Sequence, residues 1–231
     1  GHFSVGAAVN TTGSFSSTGA DFTNGGTISA VGITLNYTDV VQLESPLNGG
    51  SGDISITAAS IYADLPGAIS GATITLTAAS GDVTLLAPVT ATGAFSSSGV
   101  NFTNGGLHNA PIRADGITIS HTGIVTVNDD LISQDAVTSE LFDIALTGST
   151  VQEAGNPEFG DMTARNISIA ASTVHLNADT HVSASNTFSS TGDSFNMSDH
   201  LTALGGVSID CTGVVSGVGI FNSGANDISM H

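Results

Sequence analysis

A long internal repeat constrains this chain more than any other feature. The octet Thr12-Gly13-Ser14-Phe15-Ser16-Ser17-Thr18-Gly19 returns 80 residues later as Thr92-Gly93-Ala94-Phe95-Ser96-Ser97-Ser98-Gly99. It returns once more, shortened, as Asn186-Thr187-Phe188-Ser189-Ser190-Thr191-Gly192. The offset between the first two copies grows along the chain, from 80 at Phe15/Phe95 to 84 at Ile33/Ile117, 90 at Ile54/Ile144 and 93 at Ile74/Ile167. Extra residues therefore enter the second copy in a few places, near 107–113, 128–142 and 148–165. Insertions at a few sites read as loops added to a fixed frame, as in solenoid proteins.

A finer period lies inside each copy. Apolar residues alternate with Ser, Thr, Asn or Ala at Ile33/Leu35, Ile54/Ile56, Ile74/Leu76, Ile117/Ile119, Ile144/Leu146, Ile167/Ile169 and Val207/Ile209. Each pair reads as a strand with one face buried. Successive pairs lie roughly 20 residues apart, with the segments at Phe15 and Phe95 filling the gaps, and Gly, Asn, Asp and Ser mark the junctions. Nothing shows helical periodicity.

Both periods are met by an all-β fold, a parallel β-helix of about 10–11 rungs, each with two or three short strands. At the ~4.8 Å spacing of hydrogen-bonded strands the rod is about 50 Å long. An antiparallel sandwich also wants strands every 8–12 residues, but it has no need of the same tripeptide in every rung. The reading is one solenoid over 1–231, with copies at about 12–91, 92–184 and a truncated 185–231. A start partway into a coil and a short third copy suggest a piece of a longer body, or a subunit whose ends meet other subunits.

The 231 residues include 20 acids and two basic side chains, Arg113 and Arg165, for a formal charge of −18. Such a surface repels nucleic acid and anionic membranes, and no apolar run approaches a membrane span. The expected location is extracellular or the bacterial cell surface. Cys211 has no second cysteine to pair with; it aligns with His121 and Tyr37 in the repeat and reads as an ordinary small side chain.

The units Gly52-Asp53-Ile54-Ser55-Ile56-Thr57-Ala58-Ala59-Ser60, Gly71-Ala72-Thr73-Ile74-Thr75-Leu76-Thr77-Ala78-Ala79-Ser80 and Asn166-Ile167-Ser168-Ile169-Ala170-Ala171-Ser172 resemble the repeats of filamentous-haemagglutinin-type exoproteins. So does Gly116-Ile117-Thr118-Ile119 followed by Thr122-Gly123-Ile124-Val125-Thr126-Val127. The resemblance covers most of the chain. It implies a secreted bacterial β-helix of adhesive or structural use and carries over no site residues.

Most chemistry is absent from the sequence. Asp129-Asp130 is a carboxylate pair of the kind glycosidases use, yet beside Asn128 it reads as a turn. The basic residues that would hold acidic sugars are almost missing. The seven histidines, His175, His181 and His200 among them, show no HxH or HExxH spacing. They read as surface or turn residues, and no metal site is assigned. Calcium is the most plausible ion for acidic corners. Gly49-Gly50-Ser51-Gly52-Asp53 nears the calcium nonapeptide, but its Asp comes one place early. No cofactor is expected.

The binding candidates are Glu153, Glu158, Phe159, Asp161 and Arg165, on or beside the 148–165 insertion, where recognition would be placed on a projecting loop. A weaker candidate is the 107–113 insertion with His108, Pro111 and Arg113. The expected function is a non-enzymatic structural or adhesive module: a segment of an exoprotein stalk, or a subunit of an end-to-end fibre. Its partners would be other copies of itself, or a surface glycan or protein receptor. The alternatives are a polysaccharide-active or carbohydrate-binding β-helix and an ice-binding solenoid. The mixed Ser, Thr, Asn, Ala and Asp on outward positions argues against ice.

Overall fold

The computed structural model describes residues 1–106, 109–135, 137–152, 160–177, 180–217 and 219–231. Among them every element is a strand, and none is a helix. The chain winds into a parallel β-solenoid of about eleven turns, each turn contributing one strand to each of three faces. One turn runs through Ile33–Tyr37 on the first face, Val40–Leu43 on the second and Leu47–Asn48 on the third. In two turns the first two strands merge into single long ones, Ile144–Gln152 and Ile167–Leu176.

Parallel pairing in strict register makes columns of side chains along the axis. The first face shows this best. Its first inward column holds Phe15, Ile33, Ile54, Ile74, Phe95, Ile117, Ile144, Ile167, Phe188, Val207 and Ile228. Residues between the inward positions face out, so Ile117–His121 alternates buried and exposed along its length. That is the period of two, because successive side chains on a strand point to opposite sides.

The columns also explain the repeated Phe-Ser-Ser-x-Gly. Where the first column carries Phe15, Phe95 or Phe188, the next inward positions in the same strand carry Ser17 and Gly19, Ser97 and Gly99, or Ser190 and Gly192. A large ring is balanced by two small residues, which keeps the volume of the turn roughly constant, as a close-packed interior demands. The following turn then places Tyr37 over Gly19, His121 over Gly99 and Cys211 over Gly192. A methyl group on Gly19 would come within 2.9 Å of the Tyr37 ring, and one on Gly99 within 3.1 Å of the His121 ring.

In the first two copies the large residue also closes a polar contact with the serine. Ser17 Oγ lies 2.5 Å from Tyr37 Oη, and Ser97 Oγ lies 3.0 Å from His121 Nε2. The third copy lacks it: Cys211 offers no comparable partner, and Ser190 Oγ is buried without a hydrogen bond. Tyr37, His121 and Cys211 are 3%, 3% and 6% exposed, so His121 is a core residue, not the surface or turn residue its sequence context suggests. Burial also pushes the Cys211 thiol up from its ordinary range, with Asp210 and Asp193 adding to it.

The acids and amides largely serve the corners. Asp53 Oδ1 accepts the Thr73 amide, and Asp82 Oδ1 accepts both the Asn101 amide and its side chain. Asn24 and Asn104 are fully buried. Each donates its side-chain amide to a carbonyl of the next turn, that of Ser45 or Asp129, and accepts a backbone amide, that of Glu44 or Asn128. A backbone group left unpaired at a buried corner costs about 1–3 kcal/mol. Asx side chains at junctions are the direct remedy.

Candidate functional site

Of the binding candidates, Glu153, Glu158 and Phe159 lie outside the described residues, as does His108. Asp161 and Arg165 stand at opposite ends of the strand Met162–Ala164, on different corners of the solenoid. Arg165 is held by Asp143 of the preceding turn, Nε to Oδ1 at 3.0 Å and Nη2 to Oδ2 at 3.2 Å, and Asn166 donates to the same carboxylate at 2.9 Å. The guanidinium and the Asn166 amide hold Asp143 below the usual carboxylate range. The expected 148–165 insertion is also narrower than its offset suggests: Gly148–Gln152 is regular strand, with Val151 in the core.

Asp129 and Asp130 do different work. Asp129 is 1% exposed, and its carboxylate accepts the amides of Ala110 and Asp130. Burial raises its pKa, and those two amides work against the rise. Asp130 Oδ1 instead accepts the Asp161 amide of the next turn at 3.2 Å. The pair is a corner and presents no shared face to a substrate.

That corner belongs to a column worth following. Just before each third-face strand stand Thr27, Pro46, Ala68, Pro88, Pro111, Asp130, Asp161, His181, His200 and Ile220, and each carbonyl accepts an amide from the turn before. Through the first five the side chains offer a metal nothing useful. From Asp130 to His200 four successive turns place an Asp or a His there. Asp161 Oδ1 accepts the His181 amide at 2.9 Å and lies 3.4 Å from His181 Nδ1. The His181 and His200 rings stack, centroids 5.5 Å apart and 15° from parallel. Asp199 Oδ1 is hydrogen-bonded to His200 Nδ1. His181, Asp199 and His200 each present a ligating atom within 4.8 Å of the others. Local spacing could not reveal this. The two histidines are 19 residues apart in sequence, one full turn, and only the register of the turns brings them together.

A second feature comes from the 128–142 insertion. Gln134 bridges to Leu141, and Asp135 Oδ1 accepts the amides of Val137 and Thr138 and the Thr138 hydroxyl, which ties the loop down. Between this loop and the third face lies a groove of about 300 Å³ lined by Thr90, Thr92, Arg113, Gln134, Asp135 and Ser139, among others. Val137 at the tip is 91% exposed. The groove offers hydroxyls, an amide, one cation and the Asp135 carboxylate, the donors and acceptors a hydroxylated ligand would meet.

No family model matches this sequence, and neither the curated proteins nor the solved structures compared with it give a significant match.

Proposed function

We propose that this chain is an extracellular structural or adhesive β-solenoid, either a segment of a secreted exoprotein stalk or a subunit of an end-to-end fibre at a bacterial cell surface. The stacking geometry is the observation that carries this reading. Every turn pairs in parallel and in register with its neighbours, so the rule joining two turns within the chain also joins a further turn at either end, whichever chain supplies it. Ile228 and Met230 continue columns that are buried at Val207 and Ile209, yet each is 43% exposed, and so is Phe3 at the other end. The resemblance to haemagglutinin-type repeats points the same way.

Electron microscopy in negative stain, across concentration and salt, tests the reading. Fibres of one-rod width that lengthen with concentration are expected of a fibre subunit. Added salt should favour them, because a charge of −18 opposes association until screened over about 10 Å. Single rods of about 50 Å at every concentration would leave the stalk segment and remove the fibre. Turnover of a polysaccharide by the purified chain would overturn the non-enzymatic reading altogether.

The groove beside the 134–142 loop favours a second reading, a carbohydrate-binding solenoid. Arg113 is exposed there beside Asp135, on an acidic molecule that repels anionic sugars, so neutral oligosaccharides are the ligands to titrate. Arg113→Gln should weaken such binding about tenfold or more, the worth of one charge-assisted hydrogen bond. Equal affinity in the variant would exclude the groove.

A further inference from the structure

We propose that His181, His200 and Asp199 form a binding site for one divalent transition-metal ion of the zinc class, with Asp161 orienting His181. Three observations converge on it. The three side chains bring ligating atoms within 4.8 Å of one another without any rearrangement of the backbone. An ion with ligand distances near 2.0–2.3 Å needs little more than a rotamer adjustment to join them. The stacking of two imidazoles on adjacent turns is the second. Two parallel rings 5.5 Å apart carry their ring nitrogens on the same corner, each immediately before a third-face strand. The third is that the His181 ring already faces a carboxylate outside the ligand set, that of Asp161, while Asp199 is already in contact with His200. A carboxylate behind a metal-bound imidazole fixes the tautomer and raises the basicity of the ligating nitrogen.

The corner column makes a chance juxtaposition a poor explanation. Asp161 already has a structural task, since its Oδ1 accepts the His181 amide. That bond sets the start of the strand Val182–Ala184 and so the position of the His181 ring. The turns with Pro46, Pro88 and Pro111 have no amide to satisfy at this point, whereas Asp130 and Asp161 cap the amide of the next column member. The column thus changes from proline to an Asp-capped run ending in two histidines.

Two imidazoles and a carboxylate select the ion. This donor set suits zinc, nickel, cobalt or copper, while calcium and magnesium prefer oxygen alone. For calcium, the corner carboxylates at Asp53, Asp82, Asp129 and Asp130 are already engaged with backbone amides. His181 and His200 side chains are 60% and 50% exposed, so water can complete the coordination. The ion would bridge the turn that begins at His181 to the next one and pin the two together on a corner that is otherwise half open to solvent.

Zinc chloride titrated into the purified chain by isothermal calorimetry tests the assignment, with thermal melts alongside. One zinc per chain is expected, with calcium and magnesium failing to compete. His181→Asn and His200→Asn should each lose affinity by at least about tenfold, and Asp161→Asn, which keeps an acceptor for the His181 amide, by a similar or smaller factor. Both histidines are surface groups, so unchanged circular dichroism should show that the variants still fold. His231→Asn should bind like the parent. Zinc binding that survives in the His181→Asn/His200→Asn double variant would overturn the site, and so would the absence of any zinc binding by the parent chain.

Discussion

Alanine at Ile117 or Ile119 is expected to lower stability by roughly 2–5 kcal/mol in each case, measured by urea unfolding. Both side chains are essentially fully buried, at 1% and 0% exposure. Ile117 sits between Phe95 and Ile144 in its column, and Ile119 between Ser97 and Leu146. The cost of a core truncation depends on how far the surroundings collapse into the void. Here the lining belongs to turns held at the fixed spacing of a hydrogen-bonded ladder, so collapse along the axis is restricted and the upper part of the range is expected. Thr118→Ala is the control, since Thr118 points outward from the same strand and an exposed change should stay within about 0.5 kcal/mol. If Thr118→Ala proved the costlier substitution, the register of the first face would be off by one residue, because a single slip exchanges its two sides. In a quasi-one-dimensional stack the damage should also lower cooperativity, the turns on either side of the lesion unfolding less as one unit.

The strands, the turn length and the inward residues were legible because each leaves a local trace. Alternation marks a strand with one face in the core, and the return of Ile-x-Leu or Ile-x-Ile every 20 or so residues marks the turn. What escaped was everything fixed by the neighbouring turn. Tyr37, His121 and Cys211 form a core position, but the room for Tyr37 and His121 is made by Gly19 and Gly99 in the turn before. His181 and His200 look unrelated by any motif of short spacing, yet one turn of winding stacks them. The offsets counted how many residues the second copy had gained without showing where they go. From the sequence Gly148–Gln152 therefore reads as loop, and in the fold it is strand. Asp161 and Arg165, close in sequence, face different corners for the same reason: a three-residue strand lies between them.

His121 gives the protein an acid-sensitive core. Desolvation dominates its titration and lowers its pKa from 6.5 to about 4, against smaller opposing effects of the Asp82 carboxylate and the Asn101 backbone. The unfolded chain takes up the proton near the ordinary value, the folded chain only near pH 4. Stability is therefore fully present above about pH 6.5 and is lost as the pH falls toward 4, where both states are protonated and the loss ends. A shift of this size corresponds to about 3 kcal/mol and one proton taken up on unfolding across that window. Asp129 contributes with the opposite sign. Its folded pKa is raised, so its share of stability is present at low pH and lost as the pH rises through that value, and the acid profile of the parent chain alone mixes the two. The repeat itself supplies the variant that separates them. Tyr37 occupies the position of His121 one copy earlier, over Gly19 and against Ser17, so His121→Tyr should fit over Gly99, keep a partner for Ser97 and take up no proton between pH 7 and pH 4. The difference in unfolding free energy between parent and variant, measured from pH 7 to pH 4, should change by about 3 kcal/mol with a slope of one proton. Parallel profiles would mean that the imidazole is hydrated in the folded chain and that the stack of turns opens there well below the energy of global unfolding.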